Sequence, residues 1–384
     1  MDKNKFIIIL VGFLDVLSMG IVIPTLPELV KFYSVSPQMI SYGVAVYALC
    51  ALLATSILGQ LSDIYGRKKI LLLCVIGSFI SSLIIPIYPI YLVFLIARAV
   101  NGITGGNISI LQSIISDISK SKEERAKNMG IIGAIFGGGF IFGPLFGAIL
   151  LHFGPMMPYW FMAVFSLVEV FIIWFLFSET NEHIHHRKIK FNLIKQLVEH
   201  LKIPRLNYFM ISFFLLVTAF YIYQSVLPLY LSKHYGVSGS FSGYVMATSG
   251  LVLALNQGLL MGRFWLKKFN SNQLIFIINI SLLIFYLLLT IVEPLYLFVG
   301  LLILLLPFRA LLNPVYQSEI IEYTEVHKRG EIMGVLTSLQ SLAMFIGPLL
   351  GGLLLEKNIS IFGFSAIFII ISIIFVAKIV RFES

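Results

Sequence analysis

The chain has 384 residues, 59% of them hydrophobic and 12% charged. This excludes a soluble globular protein, where roughly a quarter of residues are charged, and a disordered chain, which combines low hydrophobicity with high net charge. The net charge of +9 is read through the positive-inside rule and predicts no nucleic-acid partner.

A mean hydropathy of +0.97 calls for a solvent other than water around most of the surface. One spanning helix takes about 20 apolar residues, so twelve use about 240 and leave short loops with one longer connector. The apolar runs fall at 6–28, 39–61, 70–88, 90–115, 129–151, 158–177, 207–231, 241–263, 272–292, 295–316, 331–354 and 361–380. The first run holds Asp15 and has no small-residue cleavage site, so it is expected to be a retained helix. Cys50 and Cys74 both lie in apolar runs and suggest neither a disulfide framework nor a metal site.

An even number of spans puts both termini on one side. Of the 27 Lys and Arg residues, 22 fall in the termini and the even-to-odd connectors, 3 in the opposite loops and 2 inside spans. That bias predicts cytoplasmic termini. The connector from Ser178 to Arg205 is the long polar stretch and divides the chain. The expected organisation is a six-helix half over 1–178, a cytoplasmic linker over 179–206 and a second six-helix half over 207–384. Within the linker, "FNLIKQLVEHL" has apolar residues near helical spacing and is predicted to lie on the membrane surface. His183, His185 and His186 just before it are read as a solvated loop, with no metal site.

An internal repeat is present. "RAKNMGIIGAIFGGGFIFGPLFGA" from Arg125 matches "RGEIMGVLTSLQSLAMFIGPLLGG" from Arg329 without gaps. More faintly, "GQLSDIYGRKKI" from Gly59 matches "GLLMGRFWLKKF" from Gly258. Both repeats run the same way across the membrane. Parallel six-helix halves imply a site near mid-membrane between them.

These residues carry a family resemblance. The chain resembles a major facilitator superfamily transporter over its whole length, which implies an all-α membrane protein of twelve helices in two six-helix halves. Gly59, Asp63, Gly66, Arg67, Lys68 and Lys69 resemble the family's 2–3 loop motif. The basic residue usual after the Asp is Ile64 here. Arg98, Asn101, Gly102, Gly105 and Gly106 resemble the fourth-helix motif. Gly139, Gly143, Pro144 and Gly147 resemble the fifth-helix motif associated with antiport, with Ala148 in place of its last glycine. "FLDVLSMGIVIPTLP" resembles the first helix of the tetracycline/proton antiporters and related twelve-helix drug exporters.

The chemistry of the residues stands beside that resemblance. Asp63, Gly66 and Arg67 sit at the turn between helices 2 and 3, where Asp63 is free to pair with a base or to cap the next helix. With Asp117, Glu124 and Arg125 they are expected to form a conformational latch. The glycines and Pro144 of helix 5, repeated in helix 11 as Gly347, Pro348, Gly351 and Gly352, allow close, bendable packing that suits a rocking interface.

Four charges lie well inside spans: Asp15, Arg98, Glu169 and Arg309. Each costs about 2.5–3.5 kcal/mol on insertion scales, so each is a functional candidate. Asp15 is the expected proton-coupling acid, and Glu169, on a helix usually peripheral in this fold, is a second candidate. Arg98, Asn101 and Gln112 project to one face of helix 4, with Arg98 read as the partner of a carboxylate, either Asp15 or a substrate acid. Arg309 and Asn313 are the counterpart on helix 10. Gln224, Asn256 and Gln340 complete the expected substrate cavity, which combines apolar walls with a few polar groups.

No Walker-type, HExxH or GxSxG pattern occurs, so neither an enzyme nor an ATP-driven pump is expected, and no cofactor. The reading is a monomeric proton-coupled antiporter of the inner (plasma) membrane that exports a small, drug-like organic compound. The alternative is a transporter of a siderophore, organic anion or other metabolite, including uptake by symport.

Overall fold

A computed structural model describes residues 3–119, 121–181, 204–325 and 329–381. The expected linker helix and His183, His185 and His186 lie outside them. Among the described residues twelve helices are long and apolar enough to cross a membrane. The first six are α1 (Lys3–Tyr33), α2 (Pro37–Tyr65), α3 (Arg67–Ile87), α4 (Tyr91–Asp117), α5 (Lys122–Leu150) and α6 (Met157–Leu176). The second six are α7 (Pro204–Gln224), α8 (Gly239–Lys268), α9 (Ser271–Ile291), α10 (Leu295–Glu322), α11 (Arg329–Glu356) and α12 (Ile361–Arg381). A short helix, Leu227–Tyr235, joins α7 to α8.

Local chemistry sets several helix ends. Ser36 accepts the Met39 amide at 3.3 Å and opens α2; Ser121 accepts the Glu124 amide at 3.1 Å and opens α5. Asn270 and Gln273 form a capping box at the start of α9. Three spans are interrupted. α1 tightens to a 3-10 turn at Ile23–Thr25, around Pro24. α4 breaks between Ile103 and Asn107, where Gly105 and Gly106 weaken the helix. α8 widens to a π-helix over Asn256–Trp265.

Contacts divide the described residues into two compact units. The first holds residues 3–181 together with 228–247, so the short helix and the start of α8 pack with it. In it α1 packs on α5 and α6, α3 on α4 and α6, and α2 on α4. Ile8, Val11, Leu71, Cys74, Ile114 and Ile173 are at the centre of its apolar core.

The second unit holds residues 204–227 with 248–381. There α7 packs on α11 and α12, and α9 on α10 and α12. Each of these pairings is one from the first unit moved on by six helices, the pattern expected of a repeated half. A closed polar network crosses four of its helices. The Ser212 Oγ lies 2.8 Å from the Tyr316 hydroxyl and 2.7 Å from Ser372 Oγ. Asn279 donates to Tyr316 at 2.8 Å and accepts from Ser372 at 2.8 Å. A satisfied network of this kind rigidifies a core.

Candidate transport site

The first unit holds a small polar chamber of about 50 Å³. Asp15 and Ser18 of α1, Tyr47 of α2, Ser78 and Ser82 of α3 and Arg98 of α4 contribute to its wall. Asn101, Asn107, Met162 and Ser166 also face it.

The break in α4 builds this chamber. The Gly105 amide folds back to the Gly102 carbonyl at 3.0 Å, and the Thr104 hydroxyl donates to the Val100 carbonyl at 2.9 Å. A new helical segment then starts at Asn107. The Asn107 side chain donates from Nδ2 to Asp15 Oδ1 at 2.8 Å. The positive end of that segment's dipole therefore lies beside the acid.

The break also changes the register of α4. Gln112, projected onto the Arg98 face of an unbroken helix, is exposed and outside the chamber. Asn107 takes the place expected of it. Asn101 stays in the stripe and donates to Ser81 Oγ at 3.0 Å.

Arg98 is 8% exposed. Its guanidinium lies over the Tyr47 ring, 4.5 Å from the centroid, and its Nε has no acceptor. Among the described residues no ion pair joins it to Asp15. The acid and the base share one chamber without neutralising each other by contact.

Glu169 is 1% exposed, on the same face of α6 as Met162 and Ser166. α6 turns this face to α1 and α3, so Glu169 is directed into the unit and away from lipid. Both its carboxyl oxygens are buried without a hydrogen-bond partner.

In the second unit Arg309 repeats part of the arrangement. Its guanidinium lies 3.9 Å from the Phe220 ring centroid, and its Nε has no acceptor. Asn313, one turn on, has an unpartnered buried Oδ1. Gln224 and Gln340 are half-buried on α7 and α11. Asn256 is committed to the framework: it donates to the Pro307 carbonyl at 3.0 Å and accepts the Trp265 indole at 3.0 Å.

The 2–3 turn is a tight charged cluster. Gly66 has φ of 99°, which a side chain rarely adopts. Arg67 reaches Asp63 at 2.5 Å, Asp117 at 2.9 Å and Ser62 at 2.6 Å. Ser62 in turn donates to the Gly59 carbonyl at 2.7 Å, tying in the start of the motif. Asp63 thus pairs with its own i+4 base, and another residue caps α3. That cap is Glu179, which accepts the Arg67 and Lys68 amides at 2.9 and 3.0 Å. Asn181 donates to the Asp63 carbonyl at 2.9 Å, closing the end of α2. Arg125 is exposed in the first turn of α5, beside Glu124. Neither Glu179 nor Asn181 was marked by the motif, because no local pattern links them to the turn.

The glycines of α5 have two faces in the first unit. Gly143 meets Gly20 of α1 backbone to backbone: a Cβ on Gly143 would lie 2.6 Å from the Gly20 Cα. Gly139 packs under Val16, and Gly147 under Ile21 and Pro24. Ala148 and the Pro144 carbonyl face the start of α8, where a Cβ on Gly243 would lie 2.7 Å from each. The methyl group that departs from the motif thus meets a glycine. Ser240 donates to the Ala148 carbonyl at 2.9 Å, and Glu28 accepts the Gly239 amide at 3.2 Å. In the second unit Gly347 and Gly351 of α11 press on Tyr221, Ile222 and Val226 in the same way.

Comparison with known proteins agrees with this architecture. The chain is 26% identical over 362 residues to the class H tetracycline resistance protein of Pasteurella multocida, covering 91% of this chain and 88% of the relative. It is 27% identical over 373 residues to the class B tetracycline resistance protein of Escherichia coli, covering 94% and 90%. It is 27% identical over 370 residues to multidrug resistance protein 2 of Bacillus subtilis, covering 93% and 90%. Among solved structures, the nucleoside transporter NupG superposes with a TM-score of 0.79 at 14% identity, over 99% of both chains. The human organic anion transporter MFSD10 superposes with a TM-score of 0.72 at 21% identity, over 97% and 99%. The model of the Major Facilitator Superfamily matches residues 8–310 and 258–383. Twelve spans, a repeated helix pairing and a charged 2–3 turn thus meet in one assignment: this chain is a multi-pass membrane transporter that belongs to the Major Facilitator Superfamily.

Proposed function

We propose that the protein is a proton-coupled antiporter that exports a small organic compound across the plasma membrane by alternating access. The observation that carries this reading is Asp15, a half-buried acid in the wall of a small polar chamber that also holds an arginine with which it forms no ion pair. Asp15 is free to exchange a proton without breaking a salt bridge. The chamber's volume of about 50 Å³ admits a few water molecules, by the usual requirement of ~10–15 Å³ each. In this state it is a chamber for water and protons, well below the size of a drug pocket.

The cycle follows from the energetics. A proton entering from outside neutralises Asp15, which lowers the cost of carrying that group through the closed state. Its release on the cytoplasmic side restores the charge. The proton gradient supplies the energy, with no resident cofactor. The Lys and Arg distribution supports cytoplasmic termini. The tetracycline and multidrug resistance relatives support a drug-like substrate and outward transport.

A second reading, carriage of an organic anion or siderophore, is favoured by Arg98, whose buried guanidinium has no acid partner. One experiment separates the readings. Everted vesicles carrying the protein are energised inside-acid and given tetracycline, lipophilic cations, fluoroquinolones or an iron chelate. Antiport collapses the gradient with a particular compound, and Asp15→Asn abolishes the collapse. A gradient unmoved by the panel and by added organic acids overturns proton antiport.

A further inference from the structure

Glu169 is a buried acid that the proposed cycle does not use. Its carboxyl oxygens touch no donor, on a helix face that also carries Met162 and Ser166 of the chamber wall. Ser166 is one helical turn away. Toward the far end of α6, Ile173 and, just past that end, Phe177 belong to the apolar core. Glu169 therefore sits at the border between the polar chamber and the seal below it.

An ionised carboxylate there is buried without a hydrogen-bond donor, and its desolvation is far more costly than that of the neutral acid. The charged and titratable groups around α6 are few. α1, which packs on α6, brings Asp15 in the chamber wall. α3 brings the buried Cys74 thiol, and the Lys68 ammonium bonds the Trp174 carbonyl near the end of α6. α5 packs lightly on α6, and His152 just past its end is exposed. No described base compensates Glu169.

We propose that Glu169 is a second proton carrier of the transport cycle, holding its proton while Asp15 exchanges and releasing it when the chamber opens to water. This rests on the proton-antiport reading and deepens it to two protons per cycle. In the release step the carboxyl O–H bond breaks and the proton passes to chamber water beside Ser166. The carboxylate regains a proton from the opposite side in the return half of the cycle.

The test uses the full-length purified protein and needs no substrate. Infrared difference spectra during alkaline titration read the carbonyl stretch of protonated carboxylic acids. The wild type is expected to lose two such bands in succession. Glu169→Gln removes the later band, and Glu169→Asp retains one. Asp15→Asn removes the earlier band and keeps the later one. An unchanged set of bands in Glu169→Gln, or loss of both bands in Asp15→Asn, overturns the proposal.

Proteoliposomes supply a transport arm, with tetracycline as the probe and the membrane potential clamped. The tetracycline gradient at static head should scale as the square of the proton gradient in the wild type and linearly in Glu169→Gln. Equal scaling in the two proteins overturns the proposal. If tetracycline is not accumulated by the wild type, tetracycline–proton antiport fails, and the infrared arm still decides the role of Glu169.

Discussion

The Glu179 carboxylate accepts the backbone amide of Arg67 at 2.9 Å, from 112 residues along the chain. One acid beyond the sixth span thereby caps the third. It lies directly over Gly66, where a Cβ would come 2.6 Å from its Oε2. Asn181, two residues on, holds the end of α2. The start of the connector is therefore a clip on the charged turn, and the Arg67 side chain is aimed by a backbone that the clip holds.

Removing the clip should cost about 0.5–2 kcal/mol, the usual range for a lost helix cap. Glu179→Ala should lower the thermal unfolding midpoint of the purified protein and reduce flux. Gly66→Ala combines a disfavoured φ with collision against the same carboxylate and should cost more. In the double variant the two effects should be less than additive, since they share a contact. Full additivity would show that Glu179 and Gly66 act separately.

Arg67 gathers Asp63, Asp117 and Ser62 through its fork of donors. A lysine ammonium has no such planar fork. Arg67→Lys should therefore resemble Arg67→Ala in transport, although it keeps the charge. Asp63→Asn should impair flux while the protein still reaches the membrane. Wild-type flux in Asp63→Asn would remove the latch role.

The α1–α5 contact offers a test with an internal control. Gly143→Ala puts a methyl group against the α1 backbone and should destabilise by about 1–3 kcal/mol, as overpacking does. Gly130, Gly133 and Gly137 lie on the same helix, with nothing within 4 Å of an added Cβ. Gly130→Ala should be neutral or stabilise by about 0.5–1 kcal/mol through helix propensity. Thermal unfolding of the two variants reads the contrast directly. Equal midpoints would refute the close approach.

Asp15 and Arg98 should separate in transport assays. Asp15→Asn should abolish uphill, proton-driven flux while substrate exchange persists, because the amide still accepts from Asn107. Arg98→Ala should cripple both, since it removes a buried charge from the chamber wall. Counterflow with labelled substrate in proteoliposomes distinguishes the two. Uphill flux at the wild-type rate in Asp15→Asn would assign coupling to another acid.

Much of the architecture was legible along the chain. A bilayer demands about twenty apolar residues per crossing and penalises each buried charge, so span positions and the four intramembrane charges can be read locally. The Gly–Pro repeat announced two related halves, and the helix pairings recur six helices apart. Arg98, Asn101 and Asp15 were found because polar residues stand out in apolar runs.

Gln112 illustrates the boundary. Its projection assumed an unbroken helix, and the break at Gly105 and Gly106 turned Asn107 toward Asp15 instead. Asn256 looked like a cavity residue and is a brace, because the groups that consume its amide, Pro307 and Trp265, lie on α10 and further along α8.

The sequence by itself determined the class, the spans and the inventory of costly buried groups, since these follow from local hydropathy and charge. The tertiary structure decided which of those groups meet. Asn107 reaches Asp15 across 92 residues, Glu179 reaches Arg67 across 112, and Glu28 reaches Gly239 across 211. A hydrogen bond requires its atoms within about 3 Å and in line. Helix packing sets that geometry, and no periodicity along the chain encodes it.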